Sequence, residues 1–199
     1  PEQLSNIICS LRPNEEKLCF SVIFDIDNKG EIIKEWFGKT IILSKHRFTY
    51  EDAQIIIENK KGKYADEINH IDEIAKIIRK KRLNSGALNF ESEEIRFVLN
   101  DKGDPAGVKI KTSKDAHKLI EEMMLLANRS VAGFFRKNKS ENQIQKMIYR
   151  NHDSPDESKI EQLKVYLDRF GIELGPSDFK NLPYSLNLML KGLKGKNEF

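Results

Sequence analysis

The sequence predicts an α+β domain in which a mixed sheet built from hairpins packs with several helices. Three observations predict it. Two segments of strand-like residues each continue through a short turn into a second strand, long stretches carry apolar residues at helical spacing, and strands and helices do not alternate regularly as they do in parallel sheets. The chain is therefore expected to form antiparallel hairpins separated by helices.

The first hairpin is predicted over residues 18–43. The apolar residues Phe20, Val22, Phe24 and Ile26 alternate with other residues and would share one face, and Asn28-Lys29-Gly30 supplies the turn. The second hairpin is predicted from strand-like segments at 94–99 and 107–112 around a turn at 100–103.

Capping residues mark the predicted helices. Thr49, with Asp52 three residues later, is typical of a helix N-terminus. Ser113 is predicted to cap the longest helix, and Gly171 to end another in the left-handed conformation. The predicted helices cover residues 50–58, 65–83, 113–135, 155–170 and 183–199.

Composition excludes several classes of protein. The 34 basic and 31 acidic residues among 199 give a net charge of only +3, so any basic surface for nucleic acid must be local. Cys9 and Cys19 lack metal-site spacing and the four histidines are scattered, which argues against a disulfide framework or zinc site and fits a reducing cytoplasm. Neither a membrane-spanning segment nor a signal peptide is visible. The start at Pro1 suggests a piece of a longer protein.

Two sequence strings carry the most specific information. They are RFTYEDAQ at Arg47–Gln54 and HKLIEEMMLLANR at His117–Arg129. They are accompanied, in order, by WFG at 36–38 with IILS at 41–44, by GALNF at 86–90 and by IYRNH at 148–152. Over nearly the whole chain these strings resemble the RNase II/RNase R family, and most closely its RNase R branch.

The resemblance implies that residues 1–199 are the central part of the catalytic domain (RNB domain) of a processive, hydrolytic 3′→5′ exoribonuclease. Such an enzyme degrades single-stranded RNA to nucleoside monophosphates and uses Mg²⁺ held by an aspartate cluster. That upstream cluster and a downstream arginine-bearing segment are lacking here. The resemblance therefore implies an incomplete domain, inactive alone, with no catalytic or metal-binding residue of its own.

Further expectations follow from this interpretation. Single-stranded RNA is the expected partner, and neither DNA nor a membrane is expected as one. The expected location of the protein is the cytoplasm. Apolar surface left uncovered would allow self-association. The alternative is a non-catalytic RNA-binding or regulatory module derived from the same family.

Tyr50 and Arg47 are candidates for contact with the RNA backbone. The resemblance implies that Tyr50 reaches the sugar-phosphate near the scissile bond, where a phenol can donate to a phosphate oxygen or a ribose hydroxyl. The plainer alternative is a ring packed over the first turn of its helix. Arg47 could bind phosphate or be an ordinary surface arginine.

Glu121 and Glu122 are both assigned by periodicity to the polar half of the long helix. His117, Glu121 and Asn128 share one polar strip, whereas Glu122 lies among mixed charges typical of a solvated face. The resemblance implies one glutamate that accepts from a ribose 2′-hydroxyl. We assign that role to Glu121, with Glu122 in reserve, and Asn128 as a neighbouring polar contact.

Phe90 ends the GALNF string, and the resemblance implies that its ring stacks on a terminal base; a core position at the start of a strand is the alternative. The basic end of the preceding helix either lines the path of the RNA or is simply solvated. Its residues are Lys76, Arg79, Lys80, Lys81 and Arg82. Two aspartate pairs at hairpin turns, 25 with 27 and 101 with 104, are interpreted as turn residues rather than metal ligands.

Overall fold

The computed structural model describes residues 1–89, 94–137, 148–150, 153, 155–175 and 181–193. Within them the predicted α+β class is confirmed. The strands are β1 (Glu16–Ile26), β2 (Ile32–Leu43), β3 (Glu94–Leu99) and β4 (Pro105–Lys111). The helices are α1 (Tyr50–Asn59), α2 (Ala65–Asn84), α3 (Asp115–Lys137), α4 (Glu157–Asp168) and α5 (Leu182–Leu193). A short π-helical segment over Gln3–Ile8 was not predicted.

The sheet differs in detail from the prediction. The strands form two separate two-stranded antiparallel sheets, β1 with β2 and β3 with β4, in place of one mixed sheet. In the first, Leu18 pairs with Ile41 and Val22 with Phe37. Pairing inside a hairpin is set by its own turn and alternation, and both are local in the sequence. Whether two hairpins share an edge depends on tertiary packing, which the pattern does not contain.

The chain divides into two compact units. Unit 1 comprises residues 1–78 and 113–145, and unit 2 comprises residues 79–112 and 146–199. Unit 1 therefore contains the β1–β2 hairpin, α1 and α3, while unit 2 contains the β3–β4 hairpin, α4 and α5. The boundary falls inside α2.

Unit 1 is held together by contacts of its helices with each other and with the first hairpin. Ile56 and Ile57 of α1 are buried, as is Ala116 of α3, which packs against α1. Phe37 of β2 meets Phe134 of α3 with ring centroids 4.6 Å apart. Burial of each large side chain stabilises the unit by about 1.5–3 kcal/mol, so these few contacts fix the hairpin and α1 on α3.

The predicted apolar face of β1 is covered only near the turn. Val22, Phe24 and Ile26 are partly buried, whereas Phe20 is 84% exposed. The face that these four residues share is thus covered over only part of its length. The reason is that Gly30 in the turn packs on α2, and Phe37, which pairs with Val22, packs on α3. The helices therefore cover the part of the hairpin nearest the turn and leave exposed the strand ends farthest from it, which form the bare end of the hairpin.

Side chains close both hairpin turns. Asp27 Oδ1 accepts hydrogen bonds from the N–H groups of Lys29 (2.9 Å) and Glu31 (2.8 Å). In the second hairpin Asn100 Oδ1 accepts from Lys102 and Asp104, both at 2.9 Å. These bonds support the interpretation of Asp27 as a turn residue.

Unit 2 is organised around α4 and α5. Leu167, Leu174 and Leu182 are buried. The predicted start of α4 at residue 155 shifts to Glu157, since Asp156 caps the helix by accepting from the Ser158 N–H at 2.9 Å. Hydrogen bonds from the Ser158 hydroxyl and N–H lower the pKa of Asp156. The predicted left-handed end at Gly171 is confirmed, with φ of +66°.

A pair of matched glycine substitutions tests the packing of the first turn. Gly30 (φ +71°) and Gly103 (φ +84°) both lie in hairpin turns, but a Cβ at Gly30 would stand 3.1 Å from Ile77 and 3.2 Å from Ile78. A Cβ at Gly103 would meet nothing within 4 Å. Both alanine variants carry the left-handed strain, and Gly30→Ala adds overpacking. We expect Gly30→Ala to lower the free energy of unfolding by about 1–3 kcal/mol more than Gly103→Ala in urea titrations. Equal losses would contradict this packing.

Candidate nucleic-acid interface

The two most informative sequence strings meet at one pair of rings. Tyr50 is the first residue of α1, and its ring stacks on that of His117, in the first turn of α3, with centroids 4.1 Å apart and planes inclined by 10°. Tyr50 remains 43% exposed. The stack therefore fixes the orientation of the tyrosine ring and leaves part of the side chain open to a ligand. Of the two interpretations of Tyr50, packing and RNA contact, the structure accommodates both.

Local capping sets the position of Tyr50. The predicted cap is confirmed: Thr49 Oγ1 accepts from the Asp52 N–H at 3.1 Å and donates to Asp52 Oδ2 at 2.7 Å. Because the cap fixes where α1 begins, it also fixes which residue occupies the first helical position. That residue is Tyr50.

Gln54 holds α1 to the start of α3 and was missed by the sequence reasoning. Its side chain is buried, Oε1 accepts from the Ala116 N–H at 2.9 Å, and Nε2 donates to Glu58 Oε1 at 2.8 Å. The expected cap at Ser113 was wrong: α3 begins at Asp115, and a side chain of α1 satisfies the early N–H group. The only signal in the sequence was a polar residue one turn after Tyr50 and directly before a run of isoleucines, two of which the structure buries.

Glu121 and Asn128 lie on a solvent-facing strip of α3. Glu121 follows His117 by four residues and Asn128 follows Glu121 by seven, so the three share one side of the helix. Glu121 and Asn128 are both exposed. The strip extends about 16 Å from the ring stack at a rise of 1.5 Å per residue. Glu121 thus lies one helical turn after His117, the residue whose ring stacks on Tyr50.

Glu122 was wrongly placed on a solvated face. It is 1% exposed, among the most buried large side chains of the described residues. The physical reason is tertiary packing around α3, which buries both Ala116 and Glu122 although they lie about 120° apart on the helix. A buried carboxylate requires polar partners inside the protein. Glu121 is thus the accessible member of the pair.

Two residues of the basic end of α2 have partners within the protein: Lys76 pairs with two carboxylates and Arg79 donates to an amide. Lys76 Nζ lies 2.7 Å from Asp72 Oδ2 and 3.0 Å from Asp115 Oδ2. The hydrogen bonds that Lys76 donates to Asp72 and to Asp115 raise the pKa of Lys76. Arg79 donates to Asn89 Oδ1 at 2.9 Å. These two residues are engaged within the protein. Arg47, by contrast, is exposed next to Phe48 in the same string as Tyr50.

Phe90 lies outside the described residues. The segment before it is anchored in unit 2: Asn187 Oδ1 accepts from the Asn89 N–H at 3.1 Å, and Asn187 Nδ2 donates to the Ala87 carbonyl at 2.9 Å. The chain approaching Phe90 is therefore fixed by α5.

No group of three or more His, Cys, Asp or Glu side chains that could hold a metal ion occurs in the part of the chain that the structure describes. No described helix is long and apolar enough to cross a membrane.

Comparison with known proteins decides the family. The family sequence model of the RNB domain matches residues 1–198 of the chain. The chain belongs to the RNB domain family of 3′→5′ exoribonucleases. The resemblance stated from the sequence strings is thereby confirmed.

Curated relatives come from more than one branch of this family. The chain is 37% identical over 193 residues to DIS3-like exonuclease 2 of Schizosaccharomyces pombe, a match covering 89% of the chain and 20% of that protein. It is 33% identical over 180 residues to ribonuclease R of Escherichia coli, covering 87% of the chain and 22% of that protein. The chain thus spans about a fifth of the length of these relatives, and the assignment to the RNase R branch stays a prediction.

The fold is shared with a solved RNase R. The structure of Mycoplasma genitalium RNase R in complex with ribose-methylated single-stranded RNA matches with a TM-score of 0.84 at 24% identity, covering 99% of this chain and 31% of that one. This match shows that the two proteins have the same fold.

Replacement of Gln54 tests the junction between α1 and α3. Gln54→Leu leaves the Ala116 N–H without its acceptor, so we expect a loss of about 1–3 kcal/mol in the free energy of unfolding. The double variant Gln54→Glu/Glu58→Gln keeps an acceptor for Ala116 and reverses the 54–58 hydrogen bond. It should retain most of the stability, measured by urea titration, and the ring-current shifts of His117 in NMR spectra. Equal damage from both variants would show that the hydrogen bond does not hold the junction.

Proposed function

We propose that this chain is the central, substrate-binding part of the catalytic domain of a processive, hydrolytic 3′→5′ exoribonuclease of the RNase R type. Its substrate would be single-stranded RNA and its products nucleoside monophosphates. The observation that carries the proposal is the Tyr50–His117 stack, because it joins the two strings most typical of the family in one partly exposed site. The flanking parts of the domain would lie outside residues 1–199.

Tyr50 acts in this proposal on the sugar-phosphate next to the scissile bond. The stack on His117 holds the ring, and the phenol donates to a phosphate oxygen or a ribose hydroxyl. A ring fixed before binding loses less side-chain entropy when the ligand arrives. Arg47, exposed three residues earlier, supplies a cation for a neighbouring phosphate.

Glu121 supplies the choice of sugar. Its carboxylate, exposed one turn after His117, accepts a hydrogen bond from a ribose 2′-hydroxyl, which deoxyribose cannot donate. Asn128 extends the same polar strip. Glu122 stays the reserve assignment, although its burial leaves it little surface for contact with RNA.

Phe90 takes the role of a base-stacking residue. Stacking on an aromatic ring does not depend on base identity, as a processive enzyme requires. The anchoring of Asn89 by Asn187 supports this role, because a stacking ring needs a fixed backbone.

Mg²⁺ is the proposed cofactor of the whole enzyme. The described residues contain no set of ligands for it, so the proposal places the ligands outside this chain. When bound, the ion would activate water for attack on the phosphodiester. The residues described above bind and orient the RNA and hold no metal.

Location and further partners are also proposals. Cys9 and Cys19 are free thiols, which suits the reducing cytoplasm. Neither DNA nor a membrane is a proposed partner. The isolated chain would self-associate through the bare end of the first hairpin, where Leu18, Phe20 and Ile41 are largely exposed.

The isolated chain is expected to be inactive. With Mg²⁺ it should leave end-labelled single-stranded RNA intact, because carboxylates that fix the ion are needed for hydrolysis and none are grouped among the described residues. The longer protein that contains the chain should release monophosphates under the same conditions. Release by the isolated chain would overturn the proposed metal site. Binding without cleavage by the longer protein would favour the alternative, a non-catalytic RNA-binding module.

A double variant tests the choice of sugar. In the longer protein, Tyr50→Phe with Glu121→Gln should raise the ratio of DNA to RNA degradation. Glu121→Gln replaces the charged acceptor of the ribose 2′-hydroxyl by a weaker neutral one, and Tyr50→Phe removes the phenol that orients the neighbouring sugar-phosphate. By the difference between a charge-assisted and a neutral hydrogen bond, about 1–1.5 kcal/mol, discrimination should fall roughly five- to tenfold. Glu51→Gln, at an exposed carboxylate beside Tyr50, is the matched control and should leave the ratio unchanged. An unchanged ratio in the double variant would refute the assignment. The same effect from Glu122→Gln alone would transfer the role to Glu122.

A further inference from the structure

Three aromatic rings gather on the surface of unit 1 beside the site described above. His46 meets Phe48 edge to face, with centroids 4.3 Å apart, and Tyr64 lies 6.1 Å from His46 and 6.3 Å from Phe48. His46 and Tyr64 are exposed and Phe48 is half-buried. We call His46, Phe48 and Tyr64 the aromatic cluster. Its rings come from the segment before α1 and the connection between α1 and α2.

Basic residues are neighbours of the aromatic cluster in the sequence. They are Lys45, Arg47, Lys60, Lys61 and Lys63. Lys63 Nζ lies 5.4 Å from the centre of the Tyr64 ring, within cation–π range. Lys60 Nζ donates to Asn69 Oδ1 at 2.8 Å and serves the fold. Among the acidic residues near the cluster in the sequence, Asp52 accepts a hydrogen bond from the Thr49 hydroxyl. Residues 45–67 hold five basic and five acidic side chains, so the stretch has no net charge, and the cluster combines open rings with individual cations such as Lys63.

The backbone holds Tyr64 in an unfavourable conformation. Its φ is +57°, in the left-handed region that non-glycine residues rarely occupy and that costs about 1–3 kcal/mol in many contexts. The ring gains little burial in return, since Tyr64 stays 39% exposed. Packing alone therefore gives a weak account of why a tyrosine stands at this position.

We propose that the aromatic cluster is a second stacking site for single-stranded RNA, next to the nucleotide held at Tyr50. The inference rests on the proposed function, which supplies the RNA. Exposed rings interleaved with cations bind single strands by stacking on bases and pairing with phosphates. Phe48 precedes Tyr50 by two residues, so their Cα atoms are at most about 7.6 Å apart. A strand bound at Tyr50 can therefore continue onto the cluster.

Ring removal at Tyr64 tests the stacking. Tyr64→Asn removes the ring and suits the left-handed backbone, which asparagine tolerates, while Tyr64→Phe keeps the ring as a control. Binding is measured on the longer protein containing the chain, in EDTA to prevent cleavage, with two probes of equal length. One is oligouridylate, and the other is an abasic oligoribonucleotide with the same phosphates and no bases.

Stacking predicts a weakening of binding that depends on bases. Tyr64→Asn should weaken binding of oligouridylate about 5- to 150-fold and leave binding of the abasic probe unchanged, whereas Tyr64→Phe should bind both probes normally. Phe48→Leu is a second ring-removing variant with the same expected pattern. Normal oligouridylate binding by folded Tyr64→Asn, or an equal weakening on both probes, would overturn the proposal. If the unmodified protein binds no RNA at all, the proposed function itself has failed.

Charge removal tests the phosphate pairing separately. Lys61→Gln/Lys63→Gln should weaken binding of both probes and lower the slope of log K against log salt by about 0.7 for each phosphate that is no longer neutralised. The control Lys29→Gln/Lys34→Gln removes two exposed lysines from the first hairpin and should leave the slope unchanged. Equal slopes for the two double variants would contradict a role for the lysines in the cluster.

Discussion

The hydrogen bond from the Ala116 N–H to Gln54 is the constraint on which the arrangement of unit 1 depends. It satisfies a buried N–H at the start of α3 with a buried side chain from α1, and both groups would be costly to leave unpaired. Because Gln54 lies one turn after Tyr50, and Ala116 precedes His117, the bond also sets the two rings face to face. The hydrogen bond that joins the two helices therefore also positions the two rings of the site.

Local structure was largely predictable from the sequence. The hairpin turns, the cap at Thr49 and the left-handed end at Gly171 each depend on residues a few positions apart, and the structure confirms them. Alternation and helical spacing likewise placed most ends of the elements within a few residues of those observed; the predicted extension of the last helix over 194–199 lies outside the described residues. These features are decided by short-range sterics and hydrogen bonds, which a pattern records directly.

Features decided by packing were not predictable in the same way. Glu122 follows Glu121 in the chain, and only tertiary packing around α3 makes one carboxylate buried and the other exposed. Phe20 continues the apolar alternation of β1, yet the helices cover only the turn end of that hairpin. The sequence strings contained Tyr50 and His117, but nothing in them indicated that the two rings touch.

The stack also joins the beginnings of two helices. Tyr50 opens α1 and His117 lies in the first turn of α3, so the positive ends of two helix macrodipoles, each equivalent to roughly half an elementary charge, converge at the rings. Asp115, in the first turn of α3, is paired with Lys76. It therefore cancels less of the positive charge at the start of α3 than an unpaired carboxylate would. The two helix N-termini therefore add positive potential around Tyr50, which offsets part of the negative charge of Glu51 and Asp52 in the first turn of α1.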